Sequence, residues 1–400
     1  MQIVLELIRA CLLFTCLSAI WFYLTSIYCA HDLFKRAPKS SRDDHPPVSI
    51  LKPIRGVDSF AYDSLASFCR QNYDRFQVVF GVLDADDPGL EPVRRITTDF
   101  PQADIKAVVC PLVIGTNLKV SNLLNIEKEA TYQILVLADS DIKVQPDYLD
   151  RIVQPFADPT VGIVTCMYRS QSRGIVSLME GLGVTTDFHA GVLVARKLQG
   201  MKFAFGSTIA IRREVLDAVG GFKAIADYLA DDFQLGALAV QAGYKVILSD
   251  YVVEHVVGPG SLRGFFKHQT RWGRTTRVSR PKGYAGLVLT QGVTASLLFL
   301  IAMRGSYIGW IVLGATWAIR ILAGVIVGAG YLKDRQAARF FWLIPLRDLV
   351  GFVLWLYTFV GSTIEWRGKR FKLTKGGKLI PLATKKESET RLADSGPAAL

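Results

Sequence analysis

Hydrophobic and polar positions are spread unevenly along the 400-residue chain. Residues 3–30 carry only Glu6 and Arg9 as charges. That stretch exceeds the roughly 20 apolar residues that cross a bilayer, and it is too long for the apolar core of a cleaved leader. Three further apolar stretches come late, at 284–303, 307–331 and 340–363. Only Arg304, Gly305 and Ser306 separate the first two, which predicts a hairpin. Arg347 and Asp348 near the start of the third point to an interfacial beginning. Arg320 lies mid-stretch, where a charge needs a partner. Asp348 is the plain candidate, and contact with a lipid is the alternative.

Between these stretches the pattern changes to short apolar runs separated by helical spacing. Runs at 48–54, 76–83, 105–110 and 132–138 read as strands, and 62–71, 92–99 and 120–130 as helices. A further helix follows Asp231, ends at Gly243 and leads into a strand at 245–248. Strands buried on both faces and alternating with helices predict an α/β domain with a parallel sheet. In such sheets ligands gather beyond the carboxyl ends of the strands.

Composition narrows the class. Half of the residues are hydrophobic and 20% are charged, which excludes intrinsic disorder. The net charge of +12 concentrates beside the apolar stretches, favouring an anionic leaflet over nucleic acid as its counterpart. Lys35, Arg36, Lys39 and Arg42 place the end of the first span in the cytoplasm. The group Lys333, Arg335, Arg339 and the group Arg367, Lys369, Arg370, Lys372, Lys375 both claim that side, and a single crossing between them cannot satisfy both. The late crossings therefore stay open at two to four, with a cytoplasmic tail preferred.

Arg263, Lys267, Arg271, Arg274, Arg277, Arg280 and Lys282 recur among Leu262, Phe265, Phe266 and Trp272, as in an amphipathic helix lying on a membrane. No nucleic-acid-binding motif accompanies them, so no nucleic-acid partner is expected. The six cysteines lack metal-ligand spacing and read as reduced. The chain thus divides into an anchor (1–30), a cytoplasmic domain (31–260), a basic interfacial helix (261–283), transmembrane helices (284–363) and a basic tail (364–400), a multi-pass membrane protein expected as a monomer.

Three acidic sites carry candidate chemistry. Asp84-Ala-Asp86-Asp87-Pro88 follows the second strand and reads either as a turn or as a site. Asp139-Ser140-Asp141 follows the fourth. Carboxylates at i and i+2 beyond a buried strand lean towards one ion, and oxygen ligands suit Mg²⁺ or Mn²⁺ bridging to a diphosphate. Asp231-Asp232 opens a helix, where capping accounts for one carboxylate and leaves the other without a role. No G-x-G-x-x-G follows the first strand, and Walker A, H-E-x-x-H and G-x-S-x-G are absent.

These pieces together resemble the ceramide glucosyltransferase family (glycosyltransferase family 21), membrane enzymes with a GT-A, Rossmann-like α/β domain. The resemblance rests on Ser49-Ile-Leu-Lys-Pro-Ile-Arg-Gly-Val-Asp58, the Asp84–Asp87 cluster, Asn117-Leu-Lys-Val-Ser-Asn-Leu123 and Asp139-Ser-Asp141. Arg213-Glu-Val-Leu-Asp-Ala-Val-Gly-Gly221, Tyr228-Leu-Ala-Asp-Asp232, Arg271-Trp272 and Trp366-Arg-Gly-Lys-Arg-Phe371 complete it. It implies Asp84 and above all Asp87 on the nucleotide side, Asp139 at the metal and diphosphate with Asp141 beside it, and Asp232 as catalytic base. The family's (Q/R)xxRW motif is similar to His268-Gln-Thr-Arg-Trp272, with a histidine at its first position. Related hopanoid-biosynthesis glycosyltransferases carry the same departure.

The implied activity is inverting transfer of one sugar from a UDP-sugar to a lipid acceptor. UDP-glucose with a ceramide-like lipid is one pairing, and UDP-N-acetylglucosamine with a hopanoid the other. A divalent cation on Asp139 and Asp141 would neutralise the leaving diphosphate, and Arg271 would add a fixed charge. Lys119 and Asn122 either contact the nucleotide or lie on a helix surface. Trp272 stacks on sugar or anchors its helix, and His189 is similar to a family histidine with either a site or a structural role. A processive polysaccharide synthase and a non-enzymatic membrane scaffold are the rival classes.

Overall fold

A computed structural model describes residues 1–35, 45–57 and 60–382. Arg36, Lys39, Arg42, Asp58 and the tail beyond 382 lie outside the described residues. Eight strands form one sheet: β1 (Val48–Pro53), β2 (Phe76–Val82), β3 (Asp104–Val109), β4 (Ile134–Leu137), β5 (Ile142–Lys143), β6 (Val161–Ser172), β7 (Ile209–Arg212) and β8 (Lys245–Val257). Their order is β3-β2-β1-β4-β7-β6-β8-β5. The first four strands run parallel, as the apolar runs predict. The sheet as a whole is mixed, because β7 runs antiparallel to both β4 and β6, and β5 antiparallel to β8. β7 enters from a tight turn in which Phe205 and Thr208 pair.

Each face of the sheet buries its own core. One joins Ile50, Val78 and Phe80 to Leu65, Ile96 and Ile152 of the helices Ala61–Ser67, Leu90–Asp99 and Tyr148–Val153. The other joins Leu51, Val79 and Leu135 to Val120, Leu123 and Ile126 of helix Leu118–Glu127. That helix sits unusually close to β2: a Cβ on Gly81 would lie 2.1 Å from Ile126 Cγ2, so only glycine fits there. Cys29, Ala30 and Leu33 at the end of helix Gln2–Lys35 also enter this second core, so the first apolar helix is packed onto the domain.

Among the described residues, Gln2–Lys35, Tyr307–Tyr331 and Phe341–Thr358 are long and apolar enough to cross a membrane, and the pair Pro281–Thr290 and Gly292–Ala302, bent by 51°, makes a fourth if it is one span. Two buried arginines in these segments have partners. Arg320 grips Asp348 with two bonds, Nε to Oδ2 at 2.7 Å and Nη2 to Oδ1 at 2.8 Å. Its Nη1 also donates to the Thr186 carbonyl of the domain, 3.2 Å away. Arg347 donates to the Met179 carbonyl at 2.9 Å and to Gln269 Oε1 at 3.0 Å, so the start of the last span is bound to the domain.

The basic stretch is a helix, Leu262–Ser279. Lys267 of this helix pairs with Glu365 at 2.6 Å, and two of its arginines turn towards backbone: Arg274 donates to the carbonyls of Thr363 and Val360, and Arg277 to those of Phe359 and Gly361. These carbonyls lie at and just beyond the end of the last apolar helix, where the dipole favours positive charge. The tail then forms a second sheet, β9 (Thr363–Trp366), β10 (Lys369–Leu373) and β11 (Leu379–Pro381), in the order β11-β10-β9.

The Arg320–Asp348 pair makes a clean test. Removing one partner leaves a buried charge uncompensated, at a cost of about 3–5 kcal/mol, whereas replacing both by apolar side chains is close to neutral. R320M is expected to lower the melting temperature well below that of R320M/D348L in the same detergent.

Candidate active site

The sequence positions of the three acidic sites are far apart, and the fold brings two of them to one point. Asn117 caps helix Leu118–Glu127, its Oδ1 accepting from the N–H groups of Lys119 (3.0 Å) and Val120 (3.3 Å). Its Nδ2 donates to the Tyr228 carbonyl at 2.8 Å and to Asp231 Oδ1 at 3.3 Å. The cap therefore ties the start of this helix to the start of helix Asp231–Gln241. It also aims Lys119, whose Nζ lies 2.6 Å from Asp139 Oδ1 and 3.3 Å from Asp231 Oδ2.

Gly206, in the turn before β7, is the meeting point. Its N–H donates to Asp232 Oδ2 at 2.8 Å, and its carbonyl accepts from the Asp139 N–H at 3.3 Å. A Cβ placed on Gly206 would lie 2.9 Å from Asp139 Oδ2, 3.3 Å from Lys119 Nζ and 3.4 Å from Asp232 Oδ2. Asp139, Lys119 and Asp232 thus face one another across a glycine. Asp232 Oδ1 accepts from the Phe233 N–H in the first turn of its helix at 2.7 Å, while Asp231 serves Lys119 and Asn117, so both carboxylates at the helix start have partners.

The electrostatics follow from crowding. Although 38% of the Asp139 side chain meets solvent, desolvation in the cleft raises its pKa against the pull of Lys119, and Asp141 raises it further. Desolvation and then the neighbouring Asp231 push Asp232 up to about 6. Burial disfavours the Lys119 ammonium, but Asp139, Asp231 and Asp232 outweigh it and hold the group protonated. Asp141 has a different partner, His255 Nε2 at 3.3 Å, and that imidazole overrides burial to keep the carboxyl ionised. Beneath them Lys52 is fully buried, its Nζ donating to the Asp139 carbonyl at 2.5 Å over the Phe68 ring; burial lowers its pKa to about 7.

The other expected residues sit around this centre. Asp87 accepts from the Gly56 N–H through both oxygens, at 2.8 and 3.1 Å, and so joins the loop after β1 to the turn after β2. Asp84 is exposed in that turn and accepts from the Asp86 N–H at 3.0 Å. Asn122 is buried below the site, donating to the carbonyls of Gly81 (2.7 Å) and Ile54 (3.3 Å). Arg271 is within electrostatic reach of Asp139 and Glu180, and burial lowers its pKa to about 10.

An aromatic wall completes the cleft. His268 is ion-paired with Glu180 and packs edge-on against Trp272, with ring centroids 4.8 Å apart. Trp272 contacts Phe188, and Phe188 contacts Phe205 next to Gly206. His189 lies behind this wall, fully buried, with Nε2 2.7 Å from the Tyr168 carbonyl; burial pushes its pKa down to about 4 and keeps it neutral. Lys52, Glu180, Gly206 and His255 belong to the centre without having been singled out by sequence reasoning. A glycine, and single polar residues inside a strand or a helix, carry no pattern that marks them.

Among the described residues no three His, Cys, Asp or Glu side chains gather as a metal cage. Asp139 and Asp141 nevertheless suit Mg²⁺ or Mn²⁺. Such ions are bound by one or two carboxylates together with substrate phosphates and water, and both side chains keep about a third of their surface open.

The family model described as Glycosyl transferase family 21 matches residues 11–379. Ceramide glucosyltransferase 1 of Caenorhabditis elegans is 24% identical over 370 residues, spanning 90% of this chain and 77% of the relative. Ceramide glucosyltransferase 3 of the same organism is 22% identical over 345 residues, spanning 84% and 74%. A solved mannosyltransferase from Pyrobaculum calidifontis, in complex with GDP-Man and Mn²⁺, shares the fold with a TM-score of 0.55 at 20% identity, covering 88% of this chain and 99% of its own.

The geometry at Gly206 yields one prediction. G206A would drive a methyl group between Asp139, Lys119 and Asp232, and displacements of this size cost roughly 10²-fold in rate. Turnover is expected to fall far more than the melting temperature.

Proposed function

The chain belongs to glycosyltransferase family 21 and is a glycosyltransferase; from that premise we propose that it moves one sugar from a UDP-sugar, in the first place UDP-glucose, to the hydroxyl of a ceramide-like lipid, inverting the anomeric carbon. The observation that carries this reading is the meeting of Asp139, Lys119 and Asp232 around Gly206. It puts a candidate phosphate-and-metal carboxylate and a candidate base on either side of one glycine.

In this reading Asp232 takes the proton of the acceptor hydroxyl as oxygen attacks, a contribution of roughly 10²–10⁴-fold. Desolvation and Asp231 suit it to the task by raising its pKa to about 6, high enough to accept a proton and low enough to be ionised near neutrality. Its two backbone bonds, from Gly206 and Phe233, fix the carboxylate. Asp139 and Asp141 would hold a divalent cation, which supplies charge neutralisation of the leaving diphosphate. The Mn²⁺ of the Pyrobaculum mannosyltransferase supports that choice. Arg271 contributes a fixed guanidinium on the same side. The second carboxylate, Asp231, keeps Lys119 in place and so lets two further acids stay close.

The lipid acceptor suits the position of the site. The helix segment Val184–Phe188 is bonded to the apolar helices through Thr186 and Arg320, and Phe188 and Trp272 lead from there to Gly206. A lipid headgroup at the membrane surface would meet this aromatic wall before it met Asp232, with the catalytic domain on the cytoplasmic side. The contact of His268 with Glu180 beside Trp272 favours a second acceptor reading, a hopanoid with UDP-N-acetylglucosamine as donor, because this is where the motif departs from Gln or Arg.

Purified protein given both donors and both lipids, with products read by mass spectrometry, tests the reading. A glycosylated lipid carrying one sugar is expected; a polymer or no product contradicts it. D232N and D139N are each expected to reduce product at least roughly 10²-fold while remaining folded. Protonation of Asp232 removes the base, so kcat/KM should climb with pH up to about 6 and level above it. A profile flat across that range would contradict the assignment.

A further inference from the structure

The donor side of the cleft holds more positive charge than its own carboxylates use. Among the described residues Arg55, Arg271 and Arg367 form no ion pair. Yet Arg367 lies within electrostatic reach of Arg55, Asp139, Asp141 and Asp87, and Arg271 within reach of Arg367 and Asp139. Three guanidinium groups therefore converge on the side of the site where Asp87, Asp139 and Asp141 lie. Desolvation and then the proximity of Arg55 lower the pKa of Arg367, against the pull of Asp139, Asp141 and Asp87.

The backbone under Arg367 is a second, independent observation. Trp366 pairs with Lys369, so Arg367 and Gly368 alone connect β9 to β10. Their φ angles are +50° and +77°. Two positive φ values in a two-residue hairpin loop make a type I′ turn, which favours Asn-Gly, Asp-Gly or Gly-Gly. A long side chain at the first position is strained, and such strain points to function when it is over-determined by the surroundings. Here it is. Leu229 N–H donates to the Gly377 carbonyl (3.4 Å) and Leu379 N–H to the Asp227 carbonyl (2.8 Å), and Ile364, Phe371, Leu373 and Leu379 pack on Leu229. The small sheet is thus docked onto the segment that leads directly into Asp231 and Asp232, and Arg274 holds its first residue, Thr363.

We propose that Arg367 is a donor-binding residue: the β9–β10 turn presents its guanidinium to the diphosphate of the nucleotide sugar, closing the cleft opposite Arg271. The inference rests on the donor reading above and adds to it a residue from the far end of the chain. A planar guanidinium pairs bidentately with phosphate oxygens, which an ammonium cannot do.

R367N separates this role from a structural one, because Asn-Gly suits a type I′ turn better than Arg-Gly. With full-length protein and Mn²⁺, UDP binding is measured by calorimetry, donor and acceptor KM by product formation, and folding by melting temperature. R367N is expected to melt at or above the wild-type temperature while its UDP Kd and donor KM rise roughly tenfold or more, the acceptor KM being unchanged. R367K should recover part of the loss. R367G, which also suits the turn, repeats the comparison. If R367N and R367G both melt below wild type, the arginine is structural and the proposal is overturned. If wild type binds UDP and R367N binds it equally well, the Arg367 assignment alone fails. A wild type that binds no nucleotide diphosphate overturns the donor reading and this inference together.

Discussion

Three carboxylates cannot share a desolvated cleft without a counter-charge, and Lys119 is that charge. At an effective dielectric of about 20, two like charges 4 Å apart repel by about 4 kcal/mol. Lys119 contacts Asp139 and Asp231 directly and acts on Asp232 through space. Its own position depends on the Asn117 cap and on the close seat of its helix over Gly81. Helix start, strand end and the Gly206 turn are therefore held in one arrangement by one ammonium group. Asp232 is the carboxyl that Lys119 does not touch, and desolvation together with Asp231 raises its pKa to about 6.

The same logic of paired charge fixes the site relative to the apolar helices. Arg320 satisfies Asp348 inside the helical bundle and with its remaining donor binds Thr186 of the domain. Asp334, which caps the short helix Arg335–Arg339 that follows, accepts from Thr185 Oγ1 at 2.8 Å. Val184–Phe188 is thereby bolted to the bundle, and the aromatic contacts from Phe188 carry that constraint to Gly206. The proposed transfer from a water-soluble donor to a membrane-bound acceptor would need such rigidity, since misplacement by about 1 Å would separate the proposed base from the hydroxyl.

Much of this was readable from the chain because its elements obey simple periodicity. β1 to β4 are short, largely apolar runs, and the acids that follow β2 and β4 stand out against them. β8 was read as only four residues because Asp250 and Glu254 break its pattern; in the fold each meets an arginine, Arg151 and Arg169. The basic helix was read as a membrane-surface face, but Arg274 and Arg277 reach carbonyls more than 80 residues away, a pairing that composition cannot reveal. Gly206 carries no chemistry of its own and matters only through what a side chain there would displace. Apart from the Trp366–Phe371 piece that carries part of the resemblance, the tail reads only as basic, because strands of five residues or fewer set among lysines and arginines resemble a charged coil.

The central claim is that acids remote in sequence share one metal-dependent donor pocket. A crystal structure of the protein with Mn²⁺ and UDP, using the anomalous signal of manganese to locate the ion, tests it most directly. The account predicts a single strong peak between Asp139 and Asp141, with the diphosphate beside it and Asp232 facing the same cavity. Manganese bound elsewhere, or UDP seated in a cavity from which Asp232 is excluded, would contradict it.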